Sequence, residues 1–182
     1  MVSEVKNMDC MEYMAQFPDK FFDLAVVDPP YGINMDGGVI GISRKAQNKV
    51  YTKKDWDTKA PDAAYFEELR RVSKNQIVFG ANHFISRIPI DSSCWIVWNK
   101  ENGNNPFADC ELAWTSLDQA VRMFTYRWQG MLQGNMKHKE ERIHPTQKPI
   151  ALYAWIFSKF ARGGVQGTRH SFRLRFKPNC SI

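Results

Sequence analysis

Apolar residues follow two rhythms along this chain, short unbroken blocks and stripes at helical spacing. The clearest block is Phe21, Phe22, Leu24, Ala25, Val26 and Val27, which stops at Asp28-Pro29-Pro30-Tyr31-Gly32. A run of this kind predicts a strand covered on both faces. Ahead of it, Met11, Met14 and Phe17 recur at helical spacing before Pro18, which predicts a short helix with one buried face. Pro61-Asp62 opens a second predicted helix, with Phe66, Leu69 and Val72 along one side, followed by a strand over Gln76 to Gly80. Cys94 to Trp98 and Glu111 to Thr115 read as further strands, and Val121 to Trp128 has strand-like content. Ile150 to Phe160 is an apolar helix ending near Gly163-Gly164. The alternation predicts an α/β fold with a mostly parallel sheet, its last strands forming an antiparallel edge.

Residues 33 to 60 break the pattern. They are rich in Gly, Asn, Lys and Asp, and predict a long loop carrying Arg44, Lys45, Lys49, Lys53 and Lys54. Long loops inside compact domains are usually functional or disordered. These cations are candidate contacts for DNA phosphates, or charges that keep the loop solvated.

Composition narrows the class without choosing a function. With 182 residues, 43% hydrophobic and 13% aromatic, the chain is globular rather than disordered, and its length favours one domain. No apolar run reaches membrane-span length and no secretory pattern opens the chain, so a cytoplasmic protein without membrane contact is expected. The net charge is +6, but residues 163 to 182 hold Arg169, Arg173, Arg175 and Lys177 with no acid. The first 162 residues therefore carry 21 basic against 19 acidic side chains, a balance of +2. Bulk charge does not point to nucleic acid. Cys10, Cys94, Cys110 and Cys180 show no paired short spacing, and His83, His138, His144 and His170 no ligand-like spacing. The cysteines read as reduced thiols, and no metal is expected.

The chemistry concentrates where the first core strand ends. Ligands of open α/β sheets bind outside the carboxyl ends of the strands. Asp28 offers a carboxylate there, Pro29 and Pro30 offer carbonyls on a stiff turn without amide donors, and Tyr31 offers a ring. A flat group with two N–H donors fits this set. The exocyclic amine of adenine is one: the Asp28 carboxylate and the Pro29 carbonyl would grip both N–H bonds and favour a pyramidal, nucleophilic nitrogen, with Tyr31 stacked on the base. In duplex DNA that base must first be flipped out, at a few kcal/mol. The competing reading is a plain Asp-Pro-Pro turn.

Phe22 to Gly32 resembles the catalytic motif of DNA amino-methyltransferases in its adenine-N6 form, and His144-Pro145-Thr146-Gln147-Lys148-Pro149 resembles a second hallmark of the subgroup in which the catalytic motif comes first. Trp95 to Lys100 and Glu111 to Ser116 also fit, so the likeness spans residues 1 to 162. It implies a partial Rossmann-like methyltransferase sheet, double-stranded DNA as partner and S-adenosylmethionine as methyl donor. Asp28, Pro29, Pro30 and Tyr31 would be catalytic. Asp9, Cys10, Asp28, His144, Thr146, Gln147 and Lys148 would face the cofactor. For Asp9 the alternative is a helix N-cap, and for Lys148 a solvated lysine at a helix start. A cytosine-N4 enzyme would use the same geometry on another amine.

The pattern breaks after Gly164, where the family has a glycine-rich cofactor turn and an acid for the ribose. Val165 to Ile182 contains neither, and a frameshift or truncation that removed most of the cofactor half is the expectation. Phe172, Leu174 and Phe176 alternate with Arg173, Arg175 and Lys177, which fits either a short edge strand or a disordered basic tail. The incomplete sheet would leave an apolar edge open to self-association. The chain is then either an active methyltransferase, completed by another chain, or a dead remnant that at most binds DNA.

Overall fold

The computed structural model describes residues 4–35, 37–40, 49–103, 107–129, 132–161 and 171–175. Helix α1 (Cys10–Met14) leads into β1 (Phe22–Asp28); β2 (Gly38–Ile40) and β3 (Lys49–Tyr51) follow; then α2 (Ala63–Val72) runs directly into β4 (Ser73–Phe79). Strands β5 (Trp95–Asn99), β6 (Cys110–Thr115), β7 (Arg122–Thr125), β8 (Trp128–Gln129) and β9 (Leu132–Gln133) precede α3 (Ile150–Ile156). A π-helical turn, Phe157–Ala161, extends α3, and β10 (Ser171–Arg175) comes last.

A six-stranded mixed sheet in the order β10-β1-β4-β6-β5-β7 organises the chain. Pairings β10·β1, β1·β4 and β5·β7 are parallel, while β6 runs against both β4 and β5. The fold is α/β, as the alternation predicts, but the expected antiparallel edge is corrected: the reversed strand lies inside the sheet. The reason is connectivity. The short link from β5 to β6 allows a reversal beside β5, and β6 then fills the gap between β5 and β4.

The apolar block resolves into two faces. Ala25 and Val27 of β1 pack with Cys10, Met14, Tyr65, Phe66 and Leu69 from α1 and α2, whereas Leu24 and Val26 pack with Leu152, Tyr153 and Ile156 of α3. With helices on both faces, every residue from Phe22 to Val27 is buried, as a doubly covered strand requires. Helix α1 is short, with Asp9 as its cap: Asp9 Oδ1 accepts from the amides of Met11 at 2.8 Å and Glu12 at 3.2 Å. Asp62 caps α2 through the Tyr65 amide at 3.2 Å.

Residues 33 to 60 are not loop throughout, because β2 and β3 pair antiparallel as a hairpin within them. Local periodicity cannot reveal strands this short. Over Val121 to Trp128 the strand content divides between β7 and the separate β8·β9 pair. The basic tail supplies β10, parallel to β1 with Asp28 in register with Arg175, so the edge-strand alternative holds over Ser171–Arg175. Among the described residues no helix is long and apolar enough to cross a membrane.

Candidate functional site at the end of strand β1

Strand β1 delivers Asp28 to its carboxyl end, and the next three residues form the turn that surrounds it. Pro29 and Pro30 are buried, and Asp28 keeps 17% of its side chain exposed. Tyr31 folds back so that its hydroxyl donates to Asp28 Oδ1 at 3.0 Å. The turn is held from below by a residue the sequence reading passed over. Asp57, 2% exposed, accepts from the amides of Tyr31 at 2.7 Å and Gly32 at 3.0 Å through Oδ1, and from Met35 at 2.8 Å through Oδ2. A carboxylate that collects three amides fixes the backbone after the strand much as a helix cap fixes a helix start.

Lys148 arrives from the segment that leads into α3. Its Nζ donates to Asp28 Oδ1 at 2.5 Å and to the Tyr31 hydroxyl at 3.0 Å, so segments 117 and 120 residues apart meet in one cluster. Lys148 is 5% exposed, which excludes the solvated-lysine alternative. Its Nζ also lies 4.8 Å from the centroid of the Phe79 ring and 3.2 Å from Glu111 Oε2. The other Glu111 oxygen pairs with Lys100. Glu111 Oε2 is buried, and it pairs with the Lys148 ammonium at a longer distance than Asp28 Oδ1 does.

Two carboxylates and two ammonium groups thus share a nearly dry pocket. Burial works against ionisation of Glu111, but Lys148 and Lys100 outweigh it and pull its pKa down to about 2. Burial likewise disfavours the Lys148 ammonium, and Asp28 and Glu111 reverse that effect and hold it well above its ordinary value. Burial, with the Asp28 charge, pushes the Tyr31 phenol upward and keeps it protonated. At neutral pH the cluster is internally neutralised, and Lys148 is a fixed cation rather than a base.

Strand β4 sets the position of the Tyr31 ring. Beyond Phe79 the chain turns at Gly80, with φ of 69°, into the short 3-10 helix Ala81–His83, and the exposed His83 ring stacks on Tyr31 with centroids 5.1 Å apart and an 18° tilt. A Cβ on Gly80 would fall 2.1 Å from Tyr31 Cε1. Gly80→Ala therefore meets both an unfavourable backbone region and an occupied space. It is expected to cost about 1–3 kcal/mol in chemical denaturation and to displace the ring, seen as a changed tyrosine near-UV signal. Unchanged stability and spectrum would show that the ring is not held there.

The remaining expected site residues are engaged elsewhere. Asp9 caps α1, and Cys10 lies in the core between the sheet and α1. His144 Nδ1 is 3.1 Å from the Thr146 hydroxyl, and the ring faces Trp56 with centroids 5.0 Å apart. Gln147 spends its side chain on the Ile143 amide and the Glu141 carbonyl, while its own carbonyl accepts from Trp128 Nε1. Of the loop cations, Lys53 and Lys54 are exposed, Lys49 lies on β3, and Arg44 and Lys45 fall outside the described residues. Cys10, Cys94 and Cys110 are free thiols, and Cys180 lies outside the described residues.

These arrangements bear on the implied methyl donor. Asp9, Thr146, Gln147 and Lys148 each bond neighbours within the chain. The described residues would hold S-adenosylmethionine only by exchanging those partners. What they do leave open is at the turn itself. Among the described residues no donor reaches Asp28 Oδ2 or the Pro29 carbonyl. No family model matches this sequence.

Proposed function

We propose that this chain holds the exocyclic amine of a flipped adenine in DNA for N6 methylation. One observation carries the reading: the two sequence motifs, far apart in the chain, meet at Lys148, Asp28 and Tyr31. That meeting gives Asp28 a divided role. Before a base arrives, Oδ1 is saturated by Lys148 and Tyr31, which pins the carboxylate, and Oδ2 is available beside the Pro29 carbonyl. Two acceptors anchored on a rigid strand end suit two amine hydrogens, and holding them off the base plane localises the nitrogen lone pair. The carboxylate also favours the positive charge that grows on that nitrogen as it is alkylated. Tyr31 and His83 already stack, so an incoming base would extend that stack or take the place of His83.

Labelled methyl transfer from S-adenosylmethionine to mixed-sequence duplex DNA tests the assignment. Label is expected on adenine N6, and Asp28→Ala is expected to lower transfer about a hundredfold or more. Transfer that survives Asp28→Ala would overturn the role of the carboxylate, and label on cytosine N4 would move the reading to the cytosine enzyme.

A second reading is supported by the occupied state of the cofactor-facing residues: a chain that binds DNA and does no chemistry. Calorimetry with S-adenosylmethionine separates the two. No heat of binding and no transfer, together with retained binding of duplex DNA, would favour this second reading, in which Lys53 and Lys54 contact phosphates and Lys53→Ala/Lys54→Ala weakens binding and its salt dependence.

A further inference from the structure

The ammonium of Lys148 stands between two carboxylates that hold it unequally. Asp28 Oδ1 takes a hydrogen bond at 2.5 Å, while the buried Glu111 Oε2 pairs with the same nitrogen at the longer distance of 3.2 Å. A buried carboxylate oxygen held at that distance is stabilised further when a donor closes on it. The donor that can do so is already within reach, and a turn of the lysine side chain replaces one bond by the other. Glu111 is itself anchored through its second oxygen to Lys100, so it does not follow the ammonium.

We propose that Glu111 is a second seat for the Lys148 ammonium, which moves from Asp28 to Glu111 Oε2 when another N–H donor occupies Asp28. The inference deepens the proposed function, since the incoming donor is then the adenine amine. The movement frees Asp28 Oδ1 and returns a full carboxylate charge to the turn at the moment the amine arrives. The charge inside the pocket is unchanged by it, because the ammonium only changes partner. Tyr31 and Tyr153 also act on the ammonium, and burial keeps the Tyr31 phenol protonated. Glu111 is therefore a positioning residue that works through Lys148.

The seat is tested without DNA or cofactor, by following the lysine 13Cε signals of the full chain through a pH titration in wild type, Asp28→Asn, Glu111→Gln and the double variant. Asp28→Asn alone is expected to leave the Lys148 midpoint well above that of the double variant, held there by Glu111. The double variant is expected to titrate below the ordinary lysine value, because burial is then unopposed. If Asp28→Asn lowers the Lys148 midpoint as far as the double variant does, Glu111 is no seat. Lys148→Met assigns the signal, and circular dichroism of each variant separates a moved midpoint from a lost fold. In methyl transfer, Glu111→Gln is expected to lower kcat about tenfold with little change in KM, the size of one lost charge-assisted bond. Wild-type protein that transfers no methyl would remove the adenine reading while the titration still decides the seat.

Discussion

Lys148→Met is expected to destabilise the protein by about 3–5 kcal/mol at pH 7, as urea unfolding would report, because it leaves Asp28 and Glu111 as uncompensated charges in one pocket. The size follows from burial. Lys148 is 5% exposed and Glu111 keeps 22% of its side chain exposed, so water cannot replace the lost ammonium as it would on an open surface. Methionine preserves most of the volume against Phe79 and isolates the electrostatic loss from a packing loss. The effect has a sign in pH. The Glu111 pKa is depressed to about 2 in the folded protein, so the stability it draws from its partners is present above the unfolded carboxylate value and is lost as pH falls toward about 2. Wild type and Lys148→Met are therefore expected to differ most at neutral pH and to converge on acidification from about pH 5 downward. Equal stability at pH 7 would mean that the cluster is solvated.

Asp57→Ala is expected to cost about 3–4 kcal/mol, since it strips the acceptor from three amides of the turn after β1 at once. Each orphaned amide costs about 1–3 kcal/mol where it is buried, and the losses overlap because one relaxation of the loop relieves several of them. Asp57→Asn retains a carbonyl oxygen for Tyr31 and Gly32 and turns an amide toward Met35, so about half the loss is expected. Hydrogen exchange locates the damage: the amides of Tyr31, Gly32 and Met35 should lose protection together while those of β4 keep theirs. Protection that falls uniformly across the sheet would show that Asp57 supports the whole fold instead of this turn. Because Trp56, next to it, faces His144, the same variant should also loosen the segment that delivers Lys148.

Much of this was written locally. An apolar block broken by a single acid and closed by two prolines specifies a buried strand and a stiff exit, since chain geometry and burial both act over neighbouring residues. The helical stripe over Phe66, Leu69 and Val72, with Asp62 before it, specifies α2 for the same reason. Asp28 and Tyr31 could be singled out as a candidate site because a carboxylate and a ring stand together at a predicted strand exit. Asp57 was not: an acid in a polar loop looks the same whether it faces water or three amides. Glu111 stood in a recognisable segment, but its task depends on Lys100 and Lys148, neither of which is its neighbour in sequence.

The order of the sheet lay beyond local pattern as well. The runs over β5 and β6 predict strands, yet nothing in either says that β6 reverses and takes an interior place between β4 and β5. Hydrophobic rhythm and turn chemistry are properties of adjacent residues, and they determined which segments are strands, which are helices and where the chain turns. Pairing direction, the meeting of Lys148 with Asp28 and the balance of charge around Glu111 are sums over distant segments, which acquire values only when the chain closes on itself and water leaves the space between them.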